Sequence, residues 1–437
     1  MSQNTEDRIQ KTSYISPRLV LHLRPLFVFT VVLFLLIGAF SPAAMGAESL
    51  PGPAIPDGFG VNIHFTGLPH DLHTISEAGF KFVRMDLSWS RIEQTKGVYD
   101  FKGSGYDSLT LGCEQLGIRV LYILDYSNEL YESDRSVRTD AGRKAFADFA
   151  GTAAKRYAGK GVLWEVWNEA NIEQFWRPQP SVDDYCKLVE TVAPRVRQAD
   201  PSGQIVAGAT SGIPLEWLEG CFKNGLLKWI DVLSVHPYRS QAPETVIPDY
   251  GKLRGLIARY SPAGKQIPVI SGEWGYSNIN WDKSPLTEQQ QADYMVRMFL
   301  TNSYQKIPVS IWYDWKDDGT DPKEREHHFG TVKHDLNPKA AYLAIKVLSS
   351  TLAGYSISEK IDLGNENDFA FKLINGNREA FAFWTLSPRH NVDLPIDPTE
   401  VTLVGIYGGK VIINWKTKHL NIRAEQSPQY LLIKPKD

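Results

Sequence analysis

Three cysteines in 437 residues, Cys113, Cys186 and Cys221, are too few and too scattered for a disulfide framework or a structural zinc site. The chain has no H-E-x-x-H, no Walker loop and no G-x-S-x-G, so it carries no signature of a zincin, an NTPase or a serine hydrolase. Gly408-Gly409 is no phosphate cradle, because Lys410-Val411-Ile412-Ile413 continues as a strand where a cradle needs a helix. His327-His328 lies among Lys and Glu and reads as solvated loop. No metal and no cofactor is expected. Excess charge is missing as well. The formal net charge is -3, and it becomes -5 when residues 1–46, with four cations and two acids, are set aside. A polyanion such as nucleic acid is a poor partner for that surface.

Long apolar runs are equally scarce. The one that stands out, Leu26 to Phe40, follows a basic lead and spans about 15 residues, short of the ~20 that cross a bilayer. Ala44-Met45-Gly46 then offers a small-x-small cleavage site. Residues 1–46 are therefore expected to be a signal peptide, with the mature chain starting near Ala47. An uncleaved N-terminal anchor, tethering the protein to a membrane through residues 26–40, is the alternative. Either way the body is expected to be exported, to the periplasm or beyond, and to be a monomer. In an oxidising compartment a Cys186–Cys221 bridge is conceivable, although buried thiols on outer helices are the simpler expectation.

What the chain does have is alternation. Strand and helix signals repeat eight times between residues 60 and 353. The strands run Gly60–Phe65, Phe80–Trp89, Arg119–Tyr126, Gly161–Val166, Gln204–Thr210, Asp231–Tyr238, Gln266–Glu273 and Val309–Trp315. Strands separated by helices imply a parallel sheet with crossovers, and eight of them fit a (β/α)₈ TIM barrel of the α/β class. After Gly354 the period shortens to that of strands joined by Asn-Gly, Gly-Gly and Pro-rich turns. The expected layout is a catalytic barrel over 47–354 and a small antiparallel, β-sandwich-like module over 355–437.

Residues with chemical potential gather at the C-terminal ends of the barrel strands, which converge on one face. Trp164-Glu165-Val166-Trp167-Asn168-Glu169-Ala170-Asn171 closes strand four, and Ser271-Gly272-Glu273-Trp274 closes strand seven. An isolated Asn-Glu is usually a helix start. Two carboxylates in matching settings are a different matter. Cleaving a glycosidic bond needs one carboxylic acid to protonate the departing oxygen and one carboxylate to meet the anomeric carbon. Glu169, among indoles, suits the first role, and Glu273 suits the second if a cation keeps it ionised. Arg84 interrupts the second strand and needs a carboxylate partner, with an inner-layer salt bridge as the plain alternative. His236 and Tyr238 share one face of strand six, and His64 ends strand one. A composition with 12 Trp suggests stacking surface. Trp89, Tyr126, Trp176, Trp281, Trp312 and Trp315 are the candidates, two or three of them expected to be core.

These residues carry a resemblance. Val83-Arg84-Met85-Asp86-Leu87-Ser88-Trp89, the run from Trp164 to Pro178, His236-Pro237-Tyr238 and Glu273-Trp274-Gly275-Tyr276-Ser277 look like the clan A retaining glycoside hydrolases. Within that clan the chain is most similar to family 39, the group of β-xylosidases and Psl-type exopolysaccharide endoglycosidases, and family 5 shares the pattern. The likeness covers residues 58 to about 352. It implies Glu169 as acid/base, Glu273 as nucleophile, and Arg84, Asn168, His236 and Tyr238 as the supporting shell. Ala170 departs from it, since clan members usually carry Pro there. The expectation is a retaining β-glycoside hydrolase acting on a polysaccharide or oligosaccharide, with His64, Trp89, Trp176 and Trp315 also touching sugar. A catalytically silent carbohydrate-binding barrel and a transglycosylase with the same residues are the alternatives.

Overall fold

The structure is a computed structural model and describes residues 49–65, 69–279 and 284–434. The expected leader over 1–46, with its tether at 26–40, lies outside those residues. Among the described residues no helix is long and apolar enough to cross a membrane.

Eight parallel strands close into a barrel in chain order. They are β1 (Phe59–Asn62), β2 (Phe82–Ser88), β3 (Arg119–Asp125), β4 (Leu163–Val166), β5 (Gln204–Ser211), β6 (Val232–His236), β7 (Val269–Trp274) and β8 (Ser310–Trp312). The strands are nearly all buried, as a sheet covered on both faces requires. Alternate side chains fill two separate cores. Phe82, Leu121, Leu163, Val206, Val232, Ile270 and Ile311 form one cluster, which the alternation assigns to the barrel interior. Val83, Val120, Trp164 and Val235 belong to the larger cluster shared with the surrounding helices. Side-chain caps start several helices, among them a capping box in which Thr287 and Gln290 close the end of Glu288–Tyr304.

Two bulges break the parity where chemistry begins. On β7, Ser271 pairs with Ser310 and Trp274 with Trp312, so three steps on one strand match two on the other. Ile270 thus stays in the interior cluster while Trp274 turns into the helix-side core. The extra residue turns Glu273 toward the barrel mouth. On β5 a similar slip falls between Gly208 and Thr210.

The C-terminal residues form antiparallel sheets, as expected. β9 (Ser356–Ile361), β10 (Asp368–Asn375), β11 (Arg378–Thr385), β13 (Glu400–Val404), β14 (Lys410–Asn414) and β16 (Gln429–Ile433) make a six-stranded sheet. β12 (His390–Leu394) and β15 (Leu420–Ala424) make a two-stranded one. Phe369, Phe371, Trp384 and Tyr430 from this region are continuous with the apolar cluster of the barrel helices.

Cys113, Cys186 and Cys221 are free and buried on helices. Cys186 Sγ faces the carbonyl oxygen of Cys221 at 3.8 Å, so the two thiols are neighbours, with no disulfide between them.

Candidate active site

The parity that places Phe82 inside the barrel also places Arg84 there, two residues nearer the mouth. Arg84 is 1% exposed, and every arm of its guanidinium is used. Nε donates to Glu165 Oε2 at 2.7 Å, Nη1 to Glu273 Oε2 at 2.5 Å and Asn62 Oδ1 at 3.2 Å, and Nη2 to Asn168 Oδ1 at 2.8 Å. The two readings of Arg84 therefore hold together: it makes an inner-layer salt bridge with Glu165 and it holds Glu273. Sequence reasoning passed over Glu165, although the rule that flagged Arg84 applies equally to a lone acid inside an apolar strand. Gly272 makes room for this layer, since a Cβ there would stand 2.1 Å from Ser234 Oγ and 3.1 Å from Glu165 Oε1.

β4 ends in a strained turn. Trp167 and Glu169 both adopt left-handed backbone, with φ of 69° and 46°, a conformation that bulky residues rarely hold unless their surroundings impose it. The Glu169 amide donates to the carbonyl of Ala209 in the β5 bulge at 2.8 Å, which ties the turn to the neighbouring strand. The result buries the Trp167 indole and leaves Asn168 and Glu169 at the mouth, 7% exposed each.

The two glutamates sit in unlike surroundings. Burial pushes the Glu169 carboxyl up to about 7, and the Arg84 charge opposes this without cancelling it. His236 is fully buried. Arg84 Nη2 lies 3.4 Å from its Nε2 and can only donate, so the ring proton belongs on Nδ1, which faces Glu169 Oε1 at 3.0 Å. That arrangement needs a neutral ring, and burial holds His236 down at about 4. Glu273 instead accepts from the Tyr238 hydroxyl at 2.8 Å and from Arg84. An oxygen of Glu169, an oxygen of Glu273 and a ring nitrogen of His236 all lie within 4.8 Å of one another. Chemically this is a proton held on one carboxyl near neutrality beside a second carboxylate ringed by donors.

The rim adds groups of both signs. His64 follows β1, with Nε2 3.3 Å from Asn62 Nδ2 and 3.5 Å from the buried carboxylate of Asp314. Burial alone would lower His64, but Asp314 outweighs it and lifts the imidazole to about 9. Asp314 and Asp125 were not singled out in the sequence. Burial raises both, and the neighbouring Asp86 carboxylate raises Asp125 further.

The tryptophans require a correction. Trp89, Trp176 and Trp315 are 0%, 0% and 1% exposed and present no face to a ligand. Trp89 stacks on Tyr131 at 5.2 Å and bonds Glu93 Oε2 at 2.6 Å. Trp315 donates to Asp71 Oδ1 at 2.8 Å, and Trp176 packs edge-on against Trp167. Trp312 is buried too, and Trp281 lies outside the described residues. These indoles supply core volume between strands and helices. Tyr126 and Phe175 are among the half-buried aromatics, parallel within 12° at 5.8 Å, with the Arg135 guanidinium 3.9 Å from the Tyr126 centroid.

The family described as cellulase (glycosyl hydrolase family 5) matches residues 57–319, from the lead-in to β1 to the loop after β8. The chain belongs to that family. The family is one of glycosyl hydrolases. A "Beta-xylosidase" of Geobacillus stearothermophilus is 36% identical to this family 5 chain over 85 residues, which is 18% of the chain and 16% of that enzyme's length. A family 39 glycoside hydrolase from Bacteroides cellulosilyticus WH2 superposes with a TM-score of 0.77 at 24% identity, over 87% of this chain and 81% of the other. A family 39 β-xylosidase from Caulobacter crescentus gives 0.63 at 16% identity, over 90% and 98%. The family 39 enzyme of Xanthomonas axonopodis pv. citri gives 0.60 at 15% identity, over 90% and 99%. These last three establish a shared fold that includes the β module.

Proposed function

We propose that this chain is a glycosidase, a retaining β-glycoside hydrolase that cleaves a polysaccharide or oligosaccharide by double displacement. The observation that carries the reading is the asymmetric carboxyl pair. Glu169 holds a proton near neutrality, Glu273 is fixed by Arg84 and Tyr238, and the nearest oxygens lie within 4.8 Å. Carboxyl groups about 5–5.5 Å apart favour retention, whereas inversion needs room for a water.

In the first half-reaction Glu169 gives its proton to the departing glycosidic oxygen while Glu273 attacks the anomeric carbon. The Nδ1–H of His236 occupies Glu169 Oε1, which assigns the acidic proton to the other oxygen, the one left for the leaving group. Asn168, oriented through its Oδ1 by Arg84, would offer an amide hydrogen to the 2-hydroxyl, a bond that strengthens in the transition state. In the second half-reaction Glu169, now ionised, takes a proton from water, which displaces Glu273 and restores the starting configuration. A reading as a silent binding barrel leaves the paired glutamates without purpose. Transglycosylation uses the same residues and is separated by product analysis with and without a sugar acceptor. Export directed by residues 1–46 belongs to the same proposal.

The test is rescue by azide, after a glycan panel read by mass spectrometry has supplied a substrate. Glu273→Ala should abolish turnover on every substrate, because no glycosyl-enzyme can form. Glu169→Ala should still be glycosylated by an aryl glycoside with a good leaving group and then stall. Added azide, which needs no general base, should restore turnover and yield the β-glycosyl azide. Rescue of Glu273→Ala to that product, with Glu169→Ala left dead, would reverse the two roles.

A further inference from the structure

We infer that the C-terminal β module is part of the support of the catalytic carboxylate: through Trp384 it clamps the two loops that hold Glu273. The inference rests on the reading of Glu273 as a reacting group.

The loop after β6 leaves the barrel at His236-Pro237-Tyr238 and reaches a short turn, Pro243–Val246, in which Glu244 is 4% exposed. The Glu244 carboxylate is committed on both oxygens. Arg297, from the helix Glu288–Tyr304, donates from Nε to Oε1 at 2.7 Å and from Nη2 to Oε2 at 2.8 Å. The indole N–H of Trp384, on β11 of the module, donates to Oε1 at 2.7 Å. All three side chains are buried. A buried carboxylate with two fixed partners is costly to disturb, so its turn is held where the module and the helix place it.

The contact continues to the other loop. The Arg297 guanidinium lies 5.1 Å from the centroid of Tyr294, and the Tyr294 ring meets Tyr276 edge-on at 4.8 Å. Tyr276 follows Glu273 by three residues. Its hydroxyl returns to the carbonyl of Gln241 at 2.8 Å, and its own carbonyl accepts from Gln291 Nε2 at 2.7 Å. The circuit is closed: module, β6 loop, helix, β7 loop, and back to the β6 loop. The two loops it binds carry Tyr238 and Glu273, whose mutual hydrogen bond is 2.8 Å. Within the module, Trp384 is seated by Phe369, stacked at 5.4 Å, and by Phe371, edge-on at 5.4 Å.

The same module offers an internal control. Tyr304 stacks on Phe371 at 4.8 Å, at the end of the same helix, seven residues beyond Arg297 and so about 10 Å further from the barrel mouth. Losing that stack weakens the module's attachment without touching Glu244.

Hydrogen exchange and kinetics on the full chain decide the matter. In Trp384→Phe, which keeps an aromatic ring and deletes the N–H, amides of residues 237–246 and 274–279 should exchange about tenfold faster. On the substrate returned by the panel, kcat should fall about tenfold with KM unchanged within about twofold. Tyr304→Leu should lower Tm without either effect. Glu244→Gln, which keeps the side-chain shape, reads the same loops if Trp384→Phe does not fold. Unchanged exchange in both loop segments would overturn the inference. So would equal acceleration and equal loss of kcat in Tyr304→Leu. Should the parent chain cut no glycan, the hydrolase reading fails by itself, and the exchange measurement still decides whether the module holds these loops.

Discussion

At pH 8 a chain carrying Glu169→Gln is expected to be more stable than its parent, while at pH 4.5 the two should unfold almost together. Burial moves the Glu169 carboxyl from its ordinary 4.5 to about 7, so the folded chain keeps a proton that the unfolded chain has released. Below pH 4.5 both states are protonated and the favourable contribution is complete. As the pH rises toward 7 the unfolded chain ionises first and the contribution is lost. Above 7 the folded chain carries a desolvated carboxylate, which costs stability. A displacement of about 2.5 pH units at ~1.4 kcal/mol each amounts to about 3.5 kcal/mol. Glutamine keeps the shape and the oxygen that faces His236 Nδ1 but cannot ionise. For a chain of this length the entropy of unfolding is roughly 0.9 kcal/mol per kelvin, so the gap in Tm at pH 8 should be about 4 °C. Calorimetry at half-unit steps from pH 4.5 to 8 measures it. The parent's kcat/KM should fall as pH rises through about 7, a limb the variant's small residual activity should lack. A stability difference that does not change with pH would refute the assignment, as would a parent that gains on the variant above pH 7.

Two further substitutions probe the floor of the site. Arg84→Met strands two carboxylates and should cost about 3–5 kcal/mol of stability by urea denaturation; the double variant Arg84→Met/Glu165→Gln should regain much of that and none of the activity. Recovery of activity in the double variant would mean that Arg84 serves the barrel alone. Gly272→Ala places a Cβ 2.1 Å from Ser234 Oγ, and this overpacking should cost about 1–3 kcal/mol together with a loss of kcat; a neutral result in both would show that the layer can relax around a methyl group.

Much of the fold was legible because a barrel strand announces itself as a short apolar run between helix patterns, and all eight are found where that reading put them. Their ends were less clear. β8 stops at Trp312 and β1 at Asn62, three residues short of the expected limits, and past those ends Ile63 and Trp315 turn into the core rather than continuing the ladder. In the module, β9, β12 and β15 went unnoticed. Ser356–Ile361 and His390–Leu394 are rich in exposed polar residues and lack the dense apolar signal of Phe381–Trp384. Glu169, Glu273, Asn168, His236 and Tyr238 stood out because each is a polar residue at the end of an apolar run, and Arg84 because it interrupts one. Glu165 is held by Arg84 and Asp314 by His64, partners that only tertiary placement identifies, while Asp125 faces another acid, Asp86. The tryptophans misled because an indole's chemistry suits sugar stacking and core filling alike, and sequence does not say which face of the sheet it meets.

The single extra residue in β7 bears on how this chain can change length. Upstream of it, odd positions look outward to the helices; downstream, the parity is exchanged, and only so does Glu273 reach the cleft while Trp274 fills the shell. Deleting or inserting one residue between Val269 and Gly272 would swap these two side chains, sending an indole into the mouth and an acid into the apolar layer. Such a lineage loses catalysis and packing in one step. Variation in length is therefore confined to the stretches beyond the strand ends, and substrate range in relatives of this chain should diversify there.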